Sequence, residues 1–282
     1  MTPEQLHLVV EANVSHALAE DIGDGDVTAS LVDPRVPGEA MILSREGAII
    51  CGQAWVDAVF RQVDSASRVH WYCHDGESVE PDTVLCRVYG HARSLLTAER
   101  TALNFLQTLS GTATLAHRYA EQVADLPVRI LDTRKTIPGL RVAQKYAVRC
   151  GGCHNHRFGL YDGVLIKENH IMAAGSIAQA VAAARQRAPT LQVEVEVEDL
   201  GEVAQAVVAG ADVLLLDDFT IEMMQRAVEA VGGRAKIEVS GGVTLETVRS
   251  IAATGVDYIS IGSLTKHVRA VDLSMRFMKN ER

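Results

Sequence analysis

The sequence predicts an α/β protein made of a small mixed α/β unit followed by a longer series of βα repeats. Three observations carry this expectation. Leu6, Val10, Val14 and Leu18 recur every four residues, the spacing of one helical face. Residues 39 to 90 change to short β-type runs separated by turn residues. Beyond residue 129, apolar β-rich runs alternate with Ala-rich helical stretches at spacings of roughly 20 to 30 residues, the pattern of parallel βα units in a barrel or part of one.

The first helix stops at Gly23, before the polar turn Gly23-Asp24-Gly25-Asp26. EAMILSREGAIICG, RVHWYCHDG and TVLCRVYG then read as strands, with a helix over 53 to 63. Leu95, Leu96, Leu103, Leu106 and Leu109 mark a long helix that Gly111 is expected to interrupt, so the first domain is placed at residues 1–110. The second domain, 111–264, takes its strands from 129–133, 163–167, 192–197, 212–218, 235–242 and 258–263. SIAQAVAAARQRA and IEMMQRAVEAV are two of the helices between them.

Composition narrows the class. The 282 residues include 27 Lys plus Arg against 36 Asp plus Glu, a net charge of -9, and 48% are hydrophobic, which excludes a disordered chain. The acidic balance also argues against a general binder of nucleic acid or anionic membrane, which needs surplus cations to neutralise phosphate. No basic leader with an apolar run is visible and no run nears 18 apolar residues, so the expected location is the cytoplasm. Five cysteines then read as reduced thiols, with Cys51, Cys73 and Cys86 as small buried hydrophobes.

In a βα fold the active site lies at the carboxyl ends of the strands. Those ends carry Asp132-Thr133-Arg134-Lys135, Lys167 to His170, Glu194 with Glu196, Asp217-Asp218, Ser240-Gly241-Gly242 and Gly262-Ser263. Arg129 to His170 holds eight bases and three acids, a local +5 inside a remainder of -14. A cationic segment at the mouth of a βα fold suits a polyanionic small molecule. Arg134, Lys135, Arg157 and Lys167 are its functional candidates, whereas Arg129, Lys145 and Arg149 read as solvated or paired charges. Gly-rich turns at 240–242 and 262–263 let backbone N–H groups approach phosphate. Alternation puts Glu194, Glu196 and Glu198 on one strand face, where inward carboxylates need cationic or metal partners. Glu196 and Asp217 are candidates for ribose hydroxyls or for hydrated Mg²⁺ held through substrate phosphates. Cys150-Gly-Gly-Cys153-His154 matches a haem-attachment pattern and, with His156, a zinc knuckle, but without export or a second Cys pair it reads as a tight glycine turn.

LDTRKTIPGLRVAQKYAV, GGCHNHRFGLYDGVLIKENH, EVEVE, LLDDF, SGGV and IGSLTKH, with LLTAERTALNFLQTLSG upstream, resemble the motifs of the quinolinate phosphoribosyltransferases, the carboxylating nicotinate-nucleotide pyrophosphorylases, over nearly the whole chain. The resemblance implies an N-terminal α/β sandwich, joined by the C-terminal segment 265–282, on an incomplete (open) α/β barrel with phosphate-binding strand ends. It implies formation of nicotinate mononucleotide, pyrophosphate and CO₂ from quinolinate and 5-phosphoribosyl 1-diphosphate (PRPP) with Mg²⁺, a step of de novo NAD biosynthesis. Thr133, Arg134, Lys135, His156, Arg157 and Lys167 would form the cationic pocket. Arg100 would enter the pocket of an adjacent subunit of an obligate homodimer, itself able to assemble further. Glu196 and Asp217 would face ribose and Mg²⁺, making Lys135, Lys167, Glu196 and Asp217 the catalytic set. Ser240, Gly241, Gly242, Gly262 and Ser263 would hold the 5-phosphate. One departure is Cys153, where the family usually has a third Gly.

Three rivals share these residues: a phosphoribosyltransferase with another base, a Schiff-base aldolase using Lys167, and a non-catalytic sensor of phosphorylated ligands.

Overall fold

The computed structural model describes residues 2–278. Helix α1, Pro3–Ile22, starts at a capping box in which Thr2 accepts from the Gln5 N–H and Gln5 reaches back to the Thr2 N–H. It ends at Gly23, whose φ of 53° is a left-handed value that glycine tolerates. Val10, Val14 and Leu18 are buried on its inner face, as their spacing predicts.

Next come β1 (Pro37–Ser44), β2 (Ala48–Ile49), α2 (Gln53–Val63), β3 (Arg68–Trp71), β4 (Ser78–Val79), β5 (Val84–His91) and the 31-residue α3 (Ala92–Gln122). The remaining elements alternate: β6 (Arg129–Leu131), α4 (Arg141–Cys150), β7 (Val164–Ile166), α5 (Glu168–Ala174), α6 (Ile177–Arg187), β8 (Val193–Val197), α7 (Leu200–Ala209), β9 (Val213–Asp217), α8 (Ile221–Val231), β10 (Lys236–Ser240), α9 (Val248–Ala252), β11 (Tyr258–Ser260), α10 (Ser263–Lys266) and β12 (Leu273–Phe277). Among the described residues no helix is long and apolar enough to cross a membrane.

The chain forms two compact units. In the first, an antiparallel sheet runs β12-β1-β5-β3, and the C-terminal strand pairs with β1 from Ala40 opposite Phe277 to Ser44 opposite Leu273. Its core gathers Val14, Ile42, Trp55, Phe60, Leu85, Leu95, Leu103 and Leu106, each worth roughly 1.5–3 kcal/mol of burial. Cys51, Cys73 and Cys86 are buried in it, as expected.

Two features of this unit differ from the sequence reading. Residues 136–152, placed with the barrel, belong here. Ala143 and Ala147 of α4 enter the same core, the Tyr146 ring lies 5.7 Å from that of Trp55, and its hydroxyl donates to Asp75 at 2.9 Å. Lys145, read as a solvated or paired charge, is fully buried, which rules out the solvated alternative. The second difference is Gly111, which leaves α3 unbroken. A Cβ there would stand 2.1 Å from the Arg269 carbonyl oxygen, and the Val271 N–H donates to Gln107 at 3.1 Å. Gly111 is therefore the gap through which the returning backbone crosses the helix.

The second unit is a parallel sheet in the order β6-β11-β10-β9-β8-β7. β7 to β11 lie side by side in chain order and β6 closes beside β11, so the sheet curls as an open barrel whose gap falls between β6 and β7. Leu131 makes a parallel bridge to His154 at that gap.

Gly111→Ala should lower stability by about 1–3 kcal/mol, the usual cost of overpacking, despite the better helix propensity of Ala. Urea titration followed by far-UV circular dichroism measures it.

Candidate active site

Parallel strands present every second side chain to the barrel interior. Leu165 and Lys167 at β7, Glu194 and Glu196 on β8, Leu215 and Asp217 on β9, Glu238 and Ser240 on β10, and Ser260 on β11 fall on that face. With Thr133, Arg134 and Lys135 after β6 and His156 and Arg157 beyond the bridge, most of them line a cavity of about 340 Å³.

The loop pair at the sheet gap is held by Asp132. This fully buried carboxylate accepts the His156 N–H at 2.9 Å and the Asn155 side-chain amide at 2.6 Å, while the Asp132 N–H donates to the His154 carbonyl at 3.0 Å. Fixing 155–156 places Arg157, whose Nη1 donates to Gly163 at 3.1 Å. Arg134 projects from the other side of the gap. Burial and the neighbouring Arg134 guanidinium depress the Arg157 pKa, an effect opposed by Glu194 and Asp162. Two guanidiniums lining one cavity form a receptor for an anion. The Thr133 hydroxyl accepts the Lys135 N–H at 3.1 Å, and the Lys135 chain passes over Gly262, where a Cβ would stand 3.0 Å from Cδ.

The opposite wall is acidic. Glu196 forms an ion pair with Lys167. Burial, then Glu196 and Asp218, raise the Asp217 pKa, while Lys167 and Lys135 pull it down. Gly241, with φ 99°, brings its α-carbon against Asp218, where a Cβ would meet Oδ1 at 2.4 Å. Ser263 has a buried hydroxyl without a hydrogen-bond partner.

At the cavity floor, His156 Nδ1 accepts the Arg157 N–H at 2.8 Å, which leaves the ring proton on Nε2. Nε2 lies 3.0 Å from Glu194 Oε2 and 3.5 Å from Glu238 Oε1. His156 thus turns its Nε2 N–H towards the two acids and not towards the cavity cations. Glu238 is pushed up to about 7, first by burial and then by Glu194, with His156 and the Ser260 hydroxyl opposing.

The cavity therefore brings together Thr133, Arg134, Lys135, His156, Arg157, Lys167, Glu196 and Ser240 from the candidates. Asp217 is not part of the lining, although the charges of Glu196, Lys167 and Lys135, which are, act on it; Gly241 adjoins Asp218 and Gly262 adjoins Lys135. Gly242 has φ 56° with open space around its α-carbon. Arg100 is exposed on α3 in the first unit and is not part of the lining.

Glu198 lies past the end of β8 and is exposed, so only Glu194 and Glu196 share the inner face. The CxxCH residues do not converge. Cys150 groups with Cys51 and Asp75, and Cys153 is buried near Asp132, its thiol pushed up to about 12 mainly by burial. The left-handed position of that turn is Gly152, at φ 90°, so Cys153 sits there without strain.

The sequence reading missed Glu238, Ser260 and Asp132 as site residues. Glu238 had a signal: a lone acid in the apolar run Ile237 to Val239, two residues before Ser240 and so on the same face.

An open βα barrel with clustered guanidiniums, lysines and glycine turns at its strand ends defines an enzyme that acts on phosphorylated or polycarboxylate small molecules. Comparison with known proteins gives the particular family. Residues 26–110 match the N-terminal domain of quinolinate phosphoribosyl transferase and residues 112–276 its C-terminal domain. The chain belongs to this family. The "probable nicotinate-nucleotide pyrophosphorylase [carboxylating]" of Bacillus subtilis is 40% identical over 270 residues, covering 95% of this chain and 93% of its own. The Oryza sativa chloroplastic nicotinate-nucleotide pyrophosphorylase [carboxylating] is 41% identical over 288 residues, 95% of this chain and 77% of its own. The solved Francisella tularensis nicotinate-nucleotide pyrophosphorylase superposes with a TM-score of 0.93 at 44% identity, over 99% of this chain and 98% of its own.

The raised Glu238 pKa gives a signed prediction. From its ordinary 4.5 up to about 7 the native state keeps a proton that the unfolded chain has lost. The stability from this group is thus complete below about 4.5 and is lost as pH rises through about 7. Glu238→Gln should remove that slope, so its stability relative to the parent should rise between about pH 5 and pH 8 in urea titrations.

Proposed function

We infer that the protein transfers the phosphoribosyl group of PRPP to the nitrogen of quinolinate and releases pyrophosphate and CO₂, forming nicotinate mononucleotide for de novo NAD synthesis. The observation that carries this reading is the guanidinium pair Arg134 and Arg157 beside Lys135 and Lys167, in a chain whose two domains both match the family. Adjacent ring carboxylates present parallel oxygen pairs, which suit the fork of arginine. Lys167, ion-paired with Glu196, is set for anion contact and not for amine attack on a carbonyl.

The chemistry needs little covalent participation. As the ribose C1–O bond breaks, the sugar gains oxocarbenium character, which Glu196 and Asp217 stabilise, while Lys135 and Lys167 take up charge on the diphosphate. Ribosylation makes the ring nitrogen cationic, so it stabilises the electron pair left when the adjacent carboxylate departs. Ser240 to Gly242 and Gly262 with Ser263 offer a hydroxyl and backbone N–H set for the 5-phosphate, and the orphan Ser263 hydroxyl fits an added acceptor.

Burial first, and then the charges of Glu196 and Asp218, raise the Asp217 pKa, and a hydrated dication would offset the repulsion among these hard oxygen donors. Glu196 and Asp217 would therefore face Mg²⁺ bound with the diphosphate, which would supply charge neutralisation for the leaving group. The working unit is a homodimer, at least, in which Arg100 acts across the interface. Its expected compartment is the cytoplasm.

Purified protein with quinolinate, PRPP and Mg²⁺ should release equal amounts of pyrophosphate and CO₂. Absence of both with quinolinate, alongside turnover of another base, would replace this reading. Arg134→Ala should lower kcat/KM for quinolinate by about 10²-fold or more. Mixed Arg100→Ala and Arg134→Ala heterodimers should regain activity that neither parent has, because one of their two pockets is intact. Verified heterodimers without that gain would place Arg100 outside the site.

A further inference from the structure

His156, Glu194 and Glu238 offer three ligand atoms within 4.8 Å of one another, a grouping that resembles a metal site. The imidazole argues otherwise. Its Nδ1 already accepts the Arg157 N–H, so Nε2 carries the proton and has no lone pair to give a metal. That single N–H serves Glu194 Oε2 at 3.0 Å and leaves Glu238 Oε1 at 3.5 Å, too far for a second good bond.

The carboxylates are consequently under-served. Glu194 and Glu238 are 6% and 2% exposed, and Oε1 of each is buried without a hydrogen-bond partner. Two carboxylates this close in a buried site do not both stay ionised, since burial and mutual repulsion favour one shared proton. Glu194 is the one that holds the imidazole proton and faces Arg157, so the retained proton falls to Glu238. The groups that face Glu238 are Glu194 from β8, His156 from the bridging segment and Ser260 from β11. Glu238 also lines the cavity with Arg134, Arg157 and Lys167.

We propose that Glu238, kept as a carboxylic acid by its pairing with Glu194 on His156, returns a proton to the ring carbon from which CO₂ leaves. The step rests on the quinolinate reaction inferred above. In it, the bond between that ring carbon and its carboxyl group breaks and the electron pair stays on the ring carbon beside the ribosylated nitrogen. The carboxyl group departs as CO₂. The Glu238 O–H proton joins the electron pair as a new C–H bond, leaving Glu238 as a carboxylate that regains a proton from water before the next turnover. No oxidant or metal enters the balance. His156 and Glu194 are positioning residues here, one holding the other so that the proton stays on Glu238.

Rapid-quench experiments on wild-type and Glu238→Gln enzyme, following pyrophosphate, nicotinate mononucleotide and the still dicarboxylated mononucleotide, separate the two chemical steps. The variant should form pyrophosphate in its first turnover and accumulate the dicarboxylated mononucleotide, with nicotinate mononucleotide appearing about 10²-fold or more slowly. In wild type, the decarboxylation rate should fall as pH rises through neutrality, and this limb should be absent from the variant. Equal rates of nicotinate mononucleotide formation in the two proteins would overturn the proposal. So would equal loss of both steps in a variant whose thermal unfolding matches wild type, because Glu238 would then act in binding. Stoichiometric metal in wild type that the variant lacks would make the cluster a metal centre and overturn it too. Failure of wild type to release pyrophosphate or CO₂ from quinolinate would instead count against the underlying activity.

Discussion

Asp132 closes the one opening in the parallel sheet. With no β6–β7 pairing, the carboxyl end of β6 has a strand partner only in β11, and on its open side the bridge to His154 and this buried carboxylate together hold the segment that carries the cations. It accepts from the His156 backbone and from the Asn155 side chain, while its own N–H continues the bridge to His154. Removing it would strand those donors, each costing about 1–3 kcal/mol if left unsatisfied. The greater consequence is positional: His156 and Arg157 would lose the register that aims one at the acidic floor and the other at Arg134.

That register explains why a cavity can hold both signs of charge without self-neutralising. Arg134, Lys135, Arg157 and Lys167 gather at the mouth, whereas Glu194 and Glu238 lie deeper on β8 and β10. The cations line the cavity where an anionic ligand would enter, while Glu194 is held by an imidazole with Glu238 beside it. Lys167 and Glu196 mark the boundary between the layers, where opposite charges do meet. The +5 segment beside a -14 remainder is therefore a layered arrangement and not a general basic surface.

Much of this was legible from the sequence because periodicity and strand ends are local signals. The spacing of Val10, Val14 and Leu18 gave the buried face of α1, and the β-rich runs gave the parallel strands. What stayed hidden depended on contacts distant in sequence. Gly111 reads as a helix breaker until the chain near Arg269 is known to cross there. Lys145 reads as either solvated or paired because helical spacing cannot show that α4 joins the first unit and buries it. The sequence places His156 in the pocket, but it cannot reveal that its Nδ1 accepts the Arg157 N–H. Tautomers and domain exchanges of this kind are set by tertiary geometry alone.

The acidic floor is difficult to justify as a source of stability. Around it, Leu165 and Leu215 show what barrel interiors normally use at such positions, and apolar residues in place of buried charged groups are often neutral or stabilising. Glu194 and Glu238 instead keep two oxygens without partners, a cost of about 1–3 kcal/mol each. A hydrogen-bonded structural network would satisfy those atoms, and a metal centre would need a lone pair on His156 that the Arg157 N–H already occupies. Proton storage accounts for both features, because a carboxylic acid that lines a cavity needs an oxygen not already committed to a hydrogen bond and a neighbour that keeps it protonated. The Arg157 backbone thus serves the floor by fixing the imidazole, while its side chain serves the mouth, so one residue couples the two layers of the site.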